Sequence, residues 1–160
     1  MGQNHLPRST TSLADPTGRL GAFTGSYTVP AAAGWDFNAI KLTAGDANGD
    51  GRADAVMMYR HGDGSIGLFT SLGTSSGGFG PFTVGYTIPA GAWDWNSFKV
   101  IAGDVNGDGR ADLAVMYHHG DGSISMHTAL ADATGGLGVF TGSYTVPAAA
   151  GWDFNAIKLT

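Results

Sequence analysis

Phe37 to Gly73 reads FNAIKLTAGDANGDGRADAVMMYRHGDGSIGLFTSLG, and Trp95 to Leu130 reads WNSFKVIAGDVNGDGRADLAVMYHHGDGSISMHTAL. Laid in register, the two stretches are one unit written twice. The flanking segments repeat as well, since GAFTGSYTVP from Gly21, GPFTVGYTIP from Gly80 and GVFTGSYTVP from Gly138 share one pattern. Trp35, Trp93 and Trp152, each followed by aspartate, mark a period of 58 to 59 residues. A period of that size belongs to architectures that stack or encircle a small supersecondary unit.

Each unit divides into four short apolar or alternating runs bounded by turn residues. Run A covers Ile40 to Ala44 and Phe98 to Ala102, and run B covers Ala53 to Tyr59 and Ala111 to Tyr117. Run C covers Ser65 to Thr70 and Ser123 to Thr128; run D covers Phe82 to Ile88, with copies starting at Phe23 and Phe140. HGDGS joins B to C, where the Asp-Gly step favours a tight hairpin because glycine accepts a positive φ without a Cβ clash. No stretch carries the i, i+3, i+4, i+7 pattern of an amphipathic helix. The expectation is an all-β chain of four-stranded antiparallel β-propeller blades, with run A innermost.

The chain starts out of phase with these blades. Thr11-Ser12-Leu13 matches Thr70-Ser71-Leu72, so the repeats begin at the end of a C strand, after an extension or tag at residues 1–10. They run over residues 11–160, with units near 37–94 and 95–153, and the last A strand closes at Thr160. Residues 138–160 repeat residues 21–43 with one change, Ala22 to Val139, which suggests recent duplication or an engineered assembly. About two and a half repeats cannot close a ring of four to eight blades alone. Closure is therefore expected from self-association into a cyclic homo-oligomer, three chains of two blades giving six.

Composition narrows the partners. All 13 acids are aspartate, 27 of the 160 residues are glycine and there is no cysteine, so turns abound while disulfides and thiolate metal sites are excluded. A net charge of −5 without a basic cluster argues against nucleic acid or an anionic membrane surface. No apolar run is long enough to span a bilayer. The opening MGQNHLPRST has no apolar signal-peptide core, so a leader for export would lie outside this sequence.

Where the chain does concentrate charge, it does so in DANGDGRAD and DVNGDGRAD. Oxygen-bearing side chains fall at positions one, three, five and nine: Asp46, Asn48, Asp50 and Asp54, then Asp104, Asn106, Asp108 and Asp112. The carbonyls of Arg52 and Arg110 stand at position seven. Calcium takes six to eight hard oxygens, and carboxylates crowded in a tight loop repel one another without a cation. Met57 and Val115 occupy the twelfth position, where a helix-flanked EF-hand needs glutamate. The alternative is a metal-free Asp-Asn-Gly turn.

IKLTAGDANGDGRADAVMMY and FKVIAGDVNGDGRADLAVMY resemble FG-GAP or VCBS repeats, the calcium-loop blades of integrin-α-like β-propellers, a group that includes propeller lectins. The resemblance covers nearly all of the chain after Leu13. It implies calcium held by Asp46, Asn48, Asp50, the Arg52 carbonyl and Asp54, and by Asp104, Asn106, Asp108, the Arg110 carbonyl and Asp112. It also implies a secreted, extracellular setting. VMMY replaces the family's VVGAP, and Phe79-Gly80 is the remnant of its Phe-Gly signature.

Strand direction places the B–C hairpins and the D–A connections on one face, away from the acidic loops. Trp35, Asp36 and His61 gather there from one unit, and Trp93, Asp94 and His119 from the next. An aromatic plate beside hydrogen-bonding groups suits a carbohydrate, so these six are the candidate sugar contacts of a non-enzymatic, lectin-like module. The structural alternative has each tryptophan sealing the gap between blades, each aspartate capping its turn and each histidine serving its hairpin. Lys41 and Lys99 are expected to reach into the central channel, and His127 has no expected partner. Two other functions stay open: a self-assembling scaffold without ligand, and an accessory module of a secreted hydrolase.

Overall fold

The computed structural model describes residues 8–13, 16, 17, 19, 24–30 and 33–159. The start of the first D run at Phe23, most of the N-terminal extension and Thr160 lie outside the described residues. Ten strands form among the described residues: β1 (Arg8–Thr11), β2 (Thr24–Thr28), β3 (Ile40–Gly45), β4 (Asp54–Arg60), β5 (Ile66–Ser71), β6 (Thr83–Ile88), β7 (Phe98–Gly103), β8 (Asp112–His118), β9 (Ile124–Ala129) and β10 (Thr141–Val146). They build two four-stranded antiparallel meanders, β3-β4-β5-β6 and β7-β8-β9-β10, and a two-stranded piece, β1-β2. Runs A to D are these strands in order, and the protein is all-β, with no α-helix among the described residues. Strand β1 begins at Arg8, inside the stretch read as an extension.

The local chemistry of each strand follows from its place. Strands β4 and β8 are second in their sheets and covered on both faces, which is why DAVMMY and DLAVMY read as continuous apolar runs rather than alternations. Edge strand β10, TGSYTV, is mostly exposed and polar. In both B–C hairpins the glycine after aspartate adopts the positive φ the turn needs, 86° at Gly64 and 85° at Gly122. His61 N donates to Ser65 O at 2.8 Å and His119 N to Ser123 O at 2.9 Å, closing the two turns alike.

The sheets stack face to face around one apolar cluster. Val56, Met58, Ile66, Leu68 and Ile88 of the first sheet meet Trp95, Phe98, Leu113, Val115 and Leu137 of the second. Strands β3 and β7 adjoin across this interface, as innermost strands of consecutive blades do. Gly45 is required here, since a Cβ would fall 2.6 Å from that of Ala111. Three polar contacts fix the stacking: Ala111 N donates to Asp46 O at 2.6 Å, Ala102 N to Thr43 Oγ1 at 3.2 Å, and Lys41 Nζ to Phe98 O at 2.5 Å. The lysine therefore does not reach into a channel. It crosses to the next sheet, over the Phe98 ring at 4.0 Å, because a carbonyl and an aromatic face together solvate the ammonium that burial strips of water. Lys99 does the same to Phe154 O and Ile157 O of the C-terminal segment.

At the ends the repeat is incomplete. β1-β2 packs on the first sheet as that sheet packs on the second: Leu13 lies against Gly77 where Leu72 lies against Gly135, and Tyr27 is 6.4 Å from Phe82. The last A run is not a strand. Phe154–Ala156 forms a 3-10 turn, and the chain to Leu159 is irregular. An A strand draws its ladder hydrogen bonds from strand B, and among the described residues no strand pairs with this segment. Phe154, Ile157 and Leu159 still pack against Met116, Ile124, Met126 and Val146, so the segment keeps its side-chain seat without its backbone partner.

Candidate functional site

Each acidic loop spans the ends of strands A and B, pinned by the opposed pairs Gly45–Asp54 and Gly103–Asp112. Glycines at φ of 79° to 85° (Gly49, Gly51, Gly107, Gly109) fold the chain back on its first aspartate. Asp46 Oδ1 accepts from Gly49 N at 2.8 Å and Asp50 N at 3.0 Å, while Oδ2 accepts from Gly51 N at 2.7 Å. Asp104 repeats this with Gly107, Asp108 and Gly109. Asn48 Oδ1 accepts from Asp50 N at 3.1 Å, and Asp50 Oδ1 from Arg52 N at 2.9 Å. The other Asp50 oxygen pairs with the Arg52 guanidinium at 2.5 Å and accepts from Asn48 Nδ2 at 3.1 Å. Asn106, Asp108 and Arg110 form the same set.

Electrostatics favour the ionised form of Asp50 and Asp108. Partial burial pushes Asp50 upward, but hydrogen bonds from Arg52 and Asn48 and the guanidinium charge hold it below its usual value. At Asp108 the hydrogen bonds from Asn106 and Arg110 dominate and act in the same direction. The ninth-position acids differ in kind. Asp54 and Asp112 are fully buried; Asp54 accepts from Ala47 N at 2.8 Å and Gly73 N at 2.7 Å, and Asp112 from Val105 N at 3.2 Å and Ala131 N at 2.9 Å. They tie the A–B loop to the C–D loop, helped by Arg52 Nε on Gly73 O and Arg110 Nε on Ala131 O.

The donor set is all hard oxygen, with lone pairs left on Asp46, Asn48 and Asp50 after these hydrogen bonds, and in kind it fits calcium. The arrangement itself is self-satisfied: among the described residues no three acidic or imidazole side chains converge as a metal cage. Closing on an ion would require Asp50 and Asp108 to turn from their arginines, and such solvent-screened pairs resist weakly.

On the opposite face the D–A connections meet the B–C hairpins, as strand direction requires: Asp36 N and Asp94 N donate to the hydroxyls of Tyr59 and Tyr117, both at 3.1 Å. Trp35 stacks on Tyr59 at 5.0 Å, with Phe69 and Phe82 at 5.3 and 5.6 Å, and His61 stands edge-on to the same tyrosine. Trp93 is ringed by Phe140, His127, Tyr117 and Phe98 at 4.9 to 5.6 Å. Both indoles are half-buried, and the exposed carboxylates of Asp36 and Asp94 cap short turns through Asn38 N and Asn96 N, both at 2.9 Å. Tryptophan and histidine thus share one aromatic cluster per unit, with aspartate at its rim.

The second cluster contains a polar group that the sequence reading missed. Ser125 Oγ lies 2.7 Å from His119 Nε2 and 2.7 Å from His127 Nε2, with Ser125 only 4% exposed. Burial and the nearby His119 charge lower the pKa of His127 from 6.5. The available signal was Ser-x-His at i, i+2 of a strand, which puts both side chains on one face. In the first sheet Gly67 and Phe69 stand there, leaving His61 without this relay. A separate cleft of 770 Å³, walled by Leu72, Val84, Leu130 and Leu137 among others, opens between the sheets at their outer edge and contains none of the six candidate sugar contacts.

The family model described as FG-GAP-like repeat matches residues 46–115, from the first acid of the first loop to the middle of β8. No curated protein and no solved structure matches the chain.

Proposed function

We propose, from the premise that residues 46–115 are an FG-GAP-like repeat, that this chain is a calcium-stabilised propeller module that binds carbohydrate as a homo-oligomer outside the cell. The observation that carries the reading is the duplicated acidic loop, which places five hard-oxygen positions in nine residues twice over, at the same point of two successive sheets. Asp46, Asn48, Asp50, the Arg52 carbonyl and Asp54 would hold one ion, and Asp104, Asn106, Asp108, the Arg110 carbonyl and Asp112 the other. An extracellular setting supports loops of modest affinity, because calcium there is plentiful.

The sugar contacts proposed are the half-buried indoles of Trp35 and Trp93, as stacking surfaces, with the rim carboxylates of Asp36 and Asp94 and the imidazoles of His61 and His119. A pyranose offers a C–H face to an aromatic ring face and hydroxyls to acceptors just beyond it. The role is binding rather than catalysis: the buried Ser125 hydroxyl is locked between two imidazoles, and repeated weak sites gain avidity when displayed together. A glycan array of the wild type beside the Asp36→Ala/Asp94→Ala variant tests this. Binding lost in a variant that still unfolds in one cooperative transition is the expected result, and undiminished binding refutes these contacts.

A further inference from the structure

The hexapeptide Phe-Asn-Ala-Ile-Lys-Leu occurs twice, at residues 37–42 and 154–159, and its two copies have opposite fates. In the second copy Phe154 is 8% exposed on the far face of the second sheet, beside Met116 and Ile124, with His118 stacked on its ring at 5.3 Å. Lys99 Nζ donates to the Phe154 carbonyl at 2.6 Å and to that of Ile157. The equivalent segment of the second sheet, WNSFKV from Trp95, sits in the same way on the first: Trp95 is 8% exposed and Lys41 donates to Phe98 O. In the first copy Phe37 is 79% and Leu42 62% exposed. Two of three equivalent segments are therefore seated on a neighbouring sheet, and the third is not.

We propose that Phe37–Leu42 of a second copy of this chain takes the seat that Phe154–Leu159 occupies here, joining copies head to tail. The inference rests on the homo-oligomer reading above and specifies its interface. Lys99 then donates to the carbonyls of Phe37 and Ile40 of the second copy, as it now does to those of Phe154 and Ile157. Because the exchanged segments have identical side chains, no contact is lost in the seat itself. The gain lies around it, where the whole first sheet of the second copy follows its segment onto the second sheet. Leu130 and Tyr144, 47% and 67% exposed here, are the counterparts of Leu72 and Tyr86 and acquire the same cover. At the other end of the junction β1-β2 gives way to β9-β10, its counterparts in the repeat. Each junction reproduces the stacking between the two sheets of one chain, so successive copies turn the same way and a rotation that closes gives a ring.

Sedimentation velocity of the full chain across the micromolar range tests this with two substitutions. The wild type is expected to sediment above monomer mass. Phe37→Asp removes a residue that is exposed in the single chain, so at dilutions where both proteins are monomeric its melting curve should match the wild type's, while its apparent dissociation constant rises roughly tenfold to a hundredfold. Phe154→Asp unseats the competing segment and should shift the population toward assembly. A mass distribution indifferent to Phe37→Asp overturns the exchange while leaving oligomerisation standing. A wild type that stays monomeric overturns the homo-oligomer reading, and the exchange with it.

Discussion

Asp54 and Asp112 show how much one side chain can decide in this fold. Both are fully buried, and each carboxylate is shared between two backbone amides from different loops. Asp54→Ala would strand Ala47 N and Gly73 N without acceptors, at a cost of about 2–4 kcal/mol, visible as a lower urea midpoint even in metal-free buffer. Asp46→Ala, whose partners lie at the exposed loop tip, should cost less. The His119–Ser125–His127 relay makes a second residue-level prediction. An imidazole whose folded pKa lies below its unfolded value stabilises the fold above pH 6.5 and loses that contribution as the pH falls through the folded pKa. The charge of the nearby His119 acts on His127 in the same direction as burial. The melting temperature should therefore drop between neutral and mildly acidic pH. The Ser125→Gly/His127→Phe variant, which restores the residues of the first sheet, should flatten that dependence; an equal slope in both proteins would mean the relay is not its source.

At the scale of strands and sheets, the period, the Asp-Gly hairpins and the four runs per unit predict every complete strand to within one or two residues, because each run is bounded by turn residues that admit few other readings. The lysines were legible as residue types but not as contacts: their partners, Phe98 O and the carbonyls of Phe154 and Ile157, are more than fifty positions away in sequence. Burial lowers the pKa of Lys41 and Asp94 opposes it, so the ammonium is held by its neighbours rather than by water. Lys41→Met keeps the stem and deletes the donor to the adjoining sheet, and should cost about 1–3 kcal/mol in a chemical melt. No loss would mean that apolar packing and the two remaining hydrogen bonds, to Asp46 O and Thr43 Oγ1, join the sheets without the lysine. The failed A strand was illegible for a related reason. Its residues have the right pattern, yet a strand is stabilised by pairing, and the pattern of one segment does not report whether its partner is present.

For the whole molecule, two four-stranded blades stack through one core and carry acidic loops that differ at one position in nine, Ala47 against Val105. The candidate sugar face was legible as a gathering of residues, while the enclosure of Trp35 and Trp93 by neighbouring rings depended on side-chain packing across strands that periodicity does not encode. The loops carry the larger claim, that a cation holds together what hydrogen bonds to aspartate now hold. Ion binding to the folded state alone raises stability by mass action and must vanish with the carboxylates that supply it. Calorimetric titration of calcium into the chelator-treated protein tests this most directly, with melting followed in parallel. The account predicts two ions per chain, a higher melting temperature, one ion in Asp50→Ala or Asp108→Ala, and none in the double variant. No binding heat and an unchanged melt in excess calcium would contradict it.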